Sequence, residues 1–350
     1  MQTMKFGPGA ASALAAGVLF GASTPLAKQL TRDIDPWMLA GLLYLGSGAG
    51  LGAYRLLRHG RAEKQAAVGA GWPWLAAAIF SGGVIGPVLL MYGLRQIAAS
   101  SASLLLNLEG VFSVMLAWFV FRENFDRRII LGILAITSGA LLLSVSGPPA
   151  WNGVMGPAAV AGACFAWALD NNLTRKVALS DVTQIAMLKG LVAGTVNVAV
   201  AFLLGAPAPG IDVILAAGTV GLAGYGVSLV LFVIALRHLG TARTGAYFSV
   251  APFIGAVIAV GLYKEPVTIQ LISAGALMSV GLWLHLSEDH DHEHAHRRMT
   301  HDHRHVHDAH HQHHHELELE GVEPHSHVHT HEPLRHAHPH FPDEHHRHDH

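Results

Sequence analysis

Ten stretches of about twenty residues, poor in charge and rich in Leu, Val, Ala and Gly, fill the first 286 residues of this chain. They fall at about 10–30, 36–57, 73–93, 97–119, 128–146, 153–173, 182–204, 212–235, 241–263 and 268–286. A bilayer core of ~30 Å needs ~20 apolar residues in a helix. In lipid every backbone polar group must be satisfied within the protein, which a helix does locally. The pattern therefore predicts an all-α membrane protein with ten transmembrane helices and a lipid bilayer as its solvent. The first apolar run, about 21 residues after Lys5, exceeds the ~7–15 of a signal-peptide core, so a retained helix is expected. The single cysteine, Cys164, lies inside an apolar stretch, which rules out an intrachain disulfide and a cysteine-based zinc site.

Charge divides the chain. Residues 287–350 hold 24 of the 27 histidines, 14 acids and 5 arginines; the first 286 residues hold 10 acids and 17 bases. With His neutral the body is +7 and the tail −9. The bases also set an orientation. With the N-terminus inside, inner loops carry Arg55, Arg58, Arg61, Lys64, Arg122, Arg127, Arg128, Arg175, Lys176, Arg237 and Arg243. The outer side carries Arg32, Arg95 and Lys264, with Lys28 near it. Basic residues favour the cytoplasmic face, so both termini are expected in the cytoplasm, in the plasma (inner) membrane.

A shift of 142 residues lays Leu94-Arg95 on Leu236-Arg237, Arg122-Glu123 on Lys264-Glu265 and Gly139 on Gly281. Each half then holds five spans, at 1–148 and 149–286, with the tail at 287–350. Five is odd, so the second half enters the membrane inverted. Inverted repeats place a substrate site near the midplane between the halves. The segments LLNLEGVFSVMLAWFVFRENFDRRIILGILAITSGALLL and YFSVAPFIGAVIAVGLYKEPVTIQLISAGALMSVGLWL resemble the C-terminal part of the EamA repeat of the drug/metabolite transporter superfamily. Pro252, Glu265 and Gly281 fit its pattern of mid-helix Pro, helix-end Glu and Gly-rich helix, as do Glu123 and Gly139. Gly110 departs from it, standing where the first repeat often has Pro. The resemblance covers about residues 10–286. It implies a ten-helix secondary transporter, usually an exporter of metabolites, amino acids or drugs.

An ionisable group near the bilayer centre costs ~2.5–3.5 kcal/mol on insertion scales and needs a partner or water. Two acids lie deep in spans: Glu109, beside Asn107, and Asp170, beside Asn171 and Asn172. Glu109 reads as a proton-coupling or substrate-binding carboxylate, or as an interhelical anchor. Asp170, Asn171 and Asn107 read as cavity lining, and Lys189 as an interface anchor or ion-pair partner of Asp170. Tyr92, Trp167 and Tyr247 are candidate cavity aromatics. Glu123 and Glu265 are expected to cap the helix that follows each, because exposed N–H groups welcome a carboxylate. Pro25, Pro87 and Pro252 are expected to kink spans.

The tail alternates imidazoles and carboxylates. His290, His292, His294, His296, His301, His303, His305, His307, His310, His311, His313, His314 and His315 are its first candidate ligands. Neutral imidazole binds Ni, Zn, Co and Cu(II). With few large apolar side chains the tail is expected to be disordered without metal. Its loose spacing fits several exchangeable sites. The body offers only His59, His238 and His285, none in a ligand-spaced intramembrane group. The expected function is export of a small organic solute, with a metal-binding regulatory or buffering tail and no required cofactor. The alternative is a divalent-metal exporter whose tail collects cytosolic ions, and third a metal-sensing scaffold without transport. A homodimer is compatible with either transporter. No P-loop, nucleophile elbow or HExxH motif suggests an enzyme, and the acidic tail gives no sign of nucleic-acid binding.

Overall fold

The structure is a computed structural model that describes residues 8–57, 71–121, 127–144, 151–174 and 182–286 and, as backbone, four short strands between 293 and 337. The body, Met1–Glu288, and the tail, Asp289–His350, are separate compact units. The body is helical. Its elements are α1 (Pro8–Leu30), α2 (Pro36–Leu57), α3 (72–96), α4 (Ala99–Leu105), α5 (Leu108–Phe121) and α6 (Arg127–Ser144). They continue as α7 (Trp151–Thr174), α8 (Val182–Leu203), α9 (211–248), α10 (Ala251–Tyr263) and α11 (Ile269–Leu286). Among the described residues six stretches are long and apolar enough to cross a membrane: Gly9–Leu30, Trp72–Gln96, Ala99–Leu116, Arg127–Ser144, Thr183–Leu203 and Ile211–Ala235. Ala251–Tyr263 and Ile269–Leu284 are apolar but shorter. Two expected spans, α2 and α7, fall outside both groups; Gly, Ser and Asn dilute their hydropathy.

Those small residues position the helices. A Cβ on Gly46 would lie 2.2 Å from the Gly218 carbonyl oxygen, and one on Gly221 1.9 Å from that of Leu43, so α2 and α9 touch backbone to backbone. Gly48 and Gly190 do the same for α2 and α8, and Gly21 and Gly255 for α1 and α10. Small residues permit this approach where lipid removes the hydrophobic drive between helices.

Among the described residues two helices carry π-helical turns: Ile79–Ile85 within α3 and Leu222–Val227 within α9. A wider turn leaves carbonyls without their usual partners, and other helices supply donors. Tyr44 Oη from α2 and Trp167 Nε1 from α7 each donate to the Gly82 carbonyl at 2.9 Å, and Asn197 Nδ2 from α8 donates to that of Gly83 at 3.1 Å.

The chain departs from the expected spans in two places. The fourth breaks at Leu106–Asn107, where backbone bonds tighten to three-residue spacing and Asn107 Nδ2 donates to the Leu104 carbonyl at 2.8 Å. The eighth runs through the expected loop at 236–240 to Phe248, and the break falls at Ser249–Val250. Pro252 consequently opens α10 rather than kinking a span, the position where its missing N–H costs nothing. Pro25 does lie inside α1.

In the tail β1 (Glu293–His296) pairs antiparallel with β4 (Leu334–Ala337), and β2 (Met299–His305) with β3 (His325–His331). Period-two alternation of His suits a strand.

Candidate functional site

The described polar groups of the body gather in two places. The first is where α2, α3, α5, α7 and α8 meet. Asp170 is buried on α7. Its Oδ1 accepts from Lys189 Nζ of α8 at 2.5 Å and from Thr174 Oγ1, one turn along α7, at 2.9 Å; Lys189 also donates to Thr174 at 3.1 Å. Gly82, in the π turn of α3, packs against this carboxylate: a Cβ there would lie 2.1 Å from Asp170 Oδ2. One helical position on, Asn171 Nδ2 donates to Glu109 Oε1 at 2.8 Å. Glu109 stands in the first turn of α5, where a carboxylate complements the helix dipole. It is half-buried, Asn171 is exposed, and no atom lies within 4 Å of a Cβ placed on Gly110. The Asp170 end is thus largely buried and charge-paired, whereas the Glu109 end is more open. Tyr44 joins the two π turns, donating to Gly82 while its ring lies 5.6 Å from that of Tyr225.

The second cluster lies at the end of the bundle where α1, α3, α4 and α10 meet. Lys28 donates to the carbonyls of Leu94 and Ile97, the latter at 2.9 Å. Arg95 donates to those of Thr31, at 2.9 Å, and Ile34. The carbonyls of Leu94, Ile97 and Thr31 lie at helix C-terminal ends, where cations are favoured, and that of Ile34 lies in the connection to α2. Glu265 follows Lys264, which ends α10 in the left-handed region at φ 51°. Its carboxylate accepts the N–H groups of Ala99, at 2.8 Å, and Ser100, at 3.0 Å, at the start of α4. Glu265 therefore caps a helix, though one in the other half of the chain rather than the one that follows it. Tyr263 Oη donates to the Pro25 carbonyl at 2.6 Å, adding a second tie between the halves.

The sequence pattern of the EamA-like transporter family matches the chain twice, over residues 7–145 and 154–287. The chain belongs to the EamA-like transporter family. It is a multi-pass membrane transporter, not an enzyme. A protein of Methanothermobacter thermautotrophicus described as an uncharacterized transporter is 28% identical over 292 residues, 78% of this chain and 84% of that relative. A probable 4-amino-4-deoxy-L-arabinose-phosphoundecaprenol flippase subunit ArnE of Pseudomonas fluorescens is 40% identical over 74 residues, 21% of this chain and 62% of the subunit. A solved structure described only as a crystal structure of a protein shares the fold: TM-score 0.59 at 20% identity, covering 79% of this chain and 96% of that one.

Within this transporter the candidate residues separate. Glu109, Asn171, Asp170 and Trp167 share the first cluster. Asn107 is buried nearby but turns to the Leu104 carbonyl and, at 3.9 Å, to the Met278 sulfur. Tyr92 is exposed on α3, and Tyr247 is half-buried on α9. Glu123 lies outside the described residues. So do His290, His292, His307, His310, His311, His313, His314 and His315, whereas His294 and His296 lie on β1 and His301, His303 and His305 on β2. Tyr44, Thr174 and the Gly82 carbonyl were missed. The adjacent glycines Gly82-Gly83 inside an apolar span were the available signal for the π turn.

Proposed function

We propose that the protein is a ten-span secondary transporter that exports a small organic solute by alternating access, using the Glu109–Asn171 and Asp170–Lys189–Thr174 cluster. The observation that carries this reading is an acid and an ion pair at one helix junction, one end largely buried and the other more open. A solute with a cationic group fits Glu109, and one with an acidic group fits Lys189 once it leaves Asp170. Two inverted repeats are supported by the double family match and by the π turns, since a shift of 142 lays Gly82 on Gly224. Packing has the same symmetry. α1 meets α9 as α7 meets α3, α1 meets α10 as α7 meets α5, and α2–α8 and α6–α11 each pair an element with its counterpart. The positive-inside rule puts both termini in the cytoplasm of the inner membrane.

The tail is read as a metal-binding sensor or buffer rather than a feeder. Among the described residues of the body no three His, Cys, Asp or Glu gather as a metal site, whereas the Glu109–Asn171 pair offers hydrogen-bonding groups suited to a polar organic solute. The flippase relatives act with a lipid-linked sugar by name, and an amphiphilic amine of that kind belongs in the test. Cells overexpressing the protein are challenged with amino-acid analogues, antibiotics, cationic amphiphiles and salts of Ni, Co and Zn. Resistance to an organic compound, lost in Glu109→Gln, is expected. Resistance to metal salts alone would overturn the proposal.

A further inference from the structure

The β2–β3 ladder sorts the tail by chemistry. Its register sets His301 opposite His329, His303 opposite His327 and His305 opposite His325; the intervening pairs are Thr300–Thr330, Asp302–Val328 and Arg304–Ser326. Directly opposed residues share a face, and alternate residues along a strand share it too. Six histidines therefore occupy one face and no histidine occupies the other between residues 300 and 305. Opposed positions in an antiparallel pair are ~4.5–5.5 Å apart between Cα atoms, and same-face neighbours along a strand are ~7 Å apart. Two successive pairs thus place four histidines at neighbouring positions on one face, and imidazole nitrogens are common ligands of first-row divalent ions.

We propose that the opposed histidines of β2 and β3 form a cross-strand site for a borderline divalent cation such as Zn(II), Ni(II) or Cu(II), and that the ion joins the two strands. The proposal rests on the reading of the tail as metal-binding and specifies where and how it binds. Three of the six positions, His325, His327 and His329, lie beyond the clusters first singled out in the sequence. An isolated two-stranded ladder is marginal in water, and an ion held only by the paired form stabilises that form by linkage. Metal arrival would then be read as strand pairing, a change of shape rather than of charge alone.

The test uses the full-length protein in detergent, with Zn(II) and Ni(II) as probes. Binding is measured calorimetrically at pH 7.5 for the wild type, for H301A/H303A/H327A/H329A, and for a control with four alanines at His310, His311, His313 and His314. The ladder variant should lose the tightest class of sites, at least tenfold in affinity, while the control keeps it. In a C164A background, H301C with H329C should form an intrachain disulfide faster with metal bound at the two successive pairs that remain, and H301C with S326C, three positions out of register, should not. Loss of affinity in the control but not in the ladder variant overturns the cross-strand site while leaving a metal-binding tail. No binding by the wild type overturns both.

Discussion

Removing the Lys189 ammonium while keeping the Asp170 carboxylate should destabilise the bundle severely. Asp170 is 7% exposed. With Lys189→Met its described partners reduce to the Thr174 hydroxyl at 2.9 Å, and the Gly82 backbone closes the other side of the carboxylate. Breaking a buried pair by deleting one member costs ~3–5 kcal/mol, because a charge is left without compensation. The Lys189 side chain is 18% exposed, so some water reaches the site, and the low end of that range, ~3 kcal/mol, is expected. At ~1.4 kcal/mol per tenfold, that is roughly a hundredfold in the folded-to-unfolded ratio. Asp170→Asn combined with Lys189→Met removes both charges and should recover most of the loss. The assay is thermal unfolding of purified protein in detergent, together with yield in the membrane fraction. A Lys189→Met protein as stable as the wild type, or a double variant no better than the single, would refute the argument.

Three further outcomes follow from the packing and the charge pattern. Glu265→Ala should cost ~1 kcal/mol of stability, as expected for a lost helix cap, and should make a cysteine at Ala99 react faster with a water-soluble thiol reagent; an unchanged rate would show that the cap does not hold the halves together. Gly46→Ala should sharply lower folded yield, since its Cβ meets the Gly218 carbonyl oxygen at 2.2 Å, while Gly110→Ala, with nothing within 4 Å, should not; equal yields would contradict the backbone contact between α2 and α9. A reporter active only in the periplasm, fused after Leu286, should stay silent, and a strong signal would refute the ten-span orientation.

Much of the architecture was legible because lipid enforces it. Apolar length marked the positions of the helices, but the two π turns, which the same 142-residue shift lays on one another at Gly82 and Gly224, have no signature in the apolar pattern. What was not legible depended on contacts distant in sequence or on competition within a helix. Glu265 is 166 residues from Ala99, so its partner could not be read from local spacing. Arg237, His238 and Gly240 suggested a loop by charge and composition, yet no proline interrupts 228–248 and the helix continues. Asn107 read as a cavity residue because polar groups in spans are costly; the structure uses it to satisfy a carbonyl at a helix break. Lys189 was legible as a partner for Asp170, but the Thr174 and Gly82 contributions required the fold.

Transport in liposomes tests the central claim most directly. Wild type, Glu109→Gln and a truncation after Ser287 are reconstituted, and movement of organic solutes identified by the resistance screen is followed beside that of Ni(II) and Zn(II). The account predicts that the wild type and the truncation both move an organic solute, that only the wild type changes rate when metal is added, and that Glu109→Gln reaches the membrane normally but moves nothing. Metal transport that needs the tail, with no organic solute moved by any form, would contradict it.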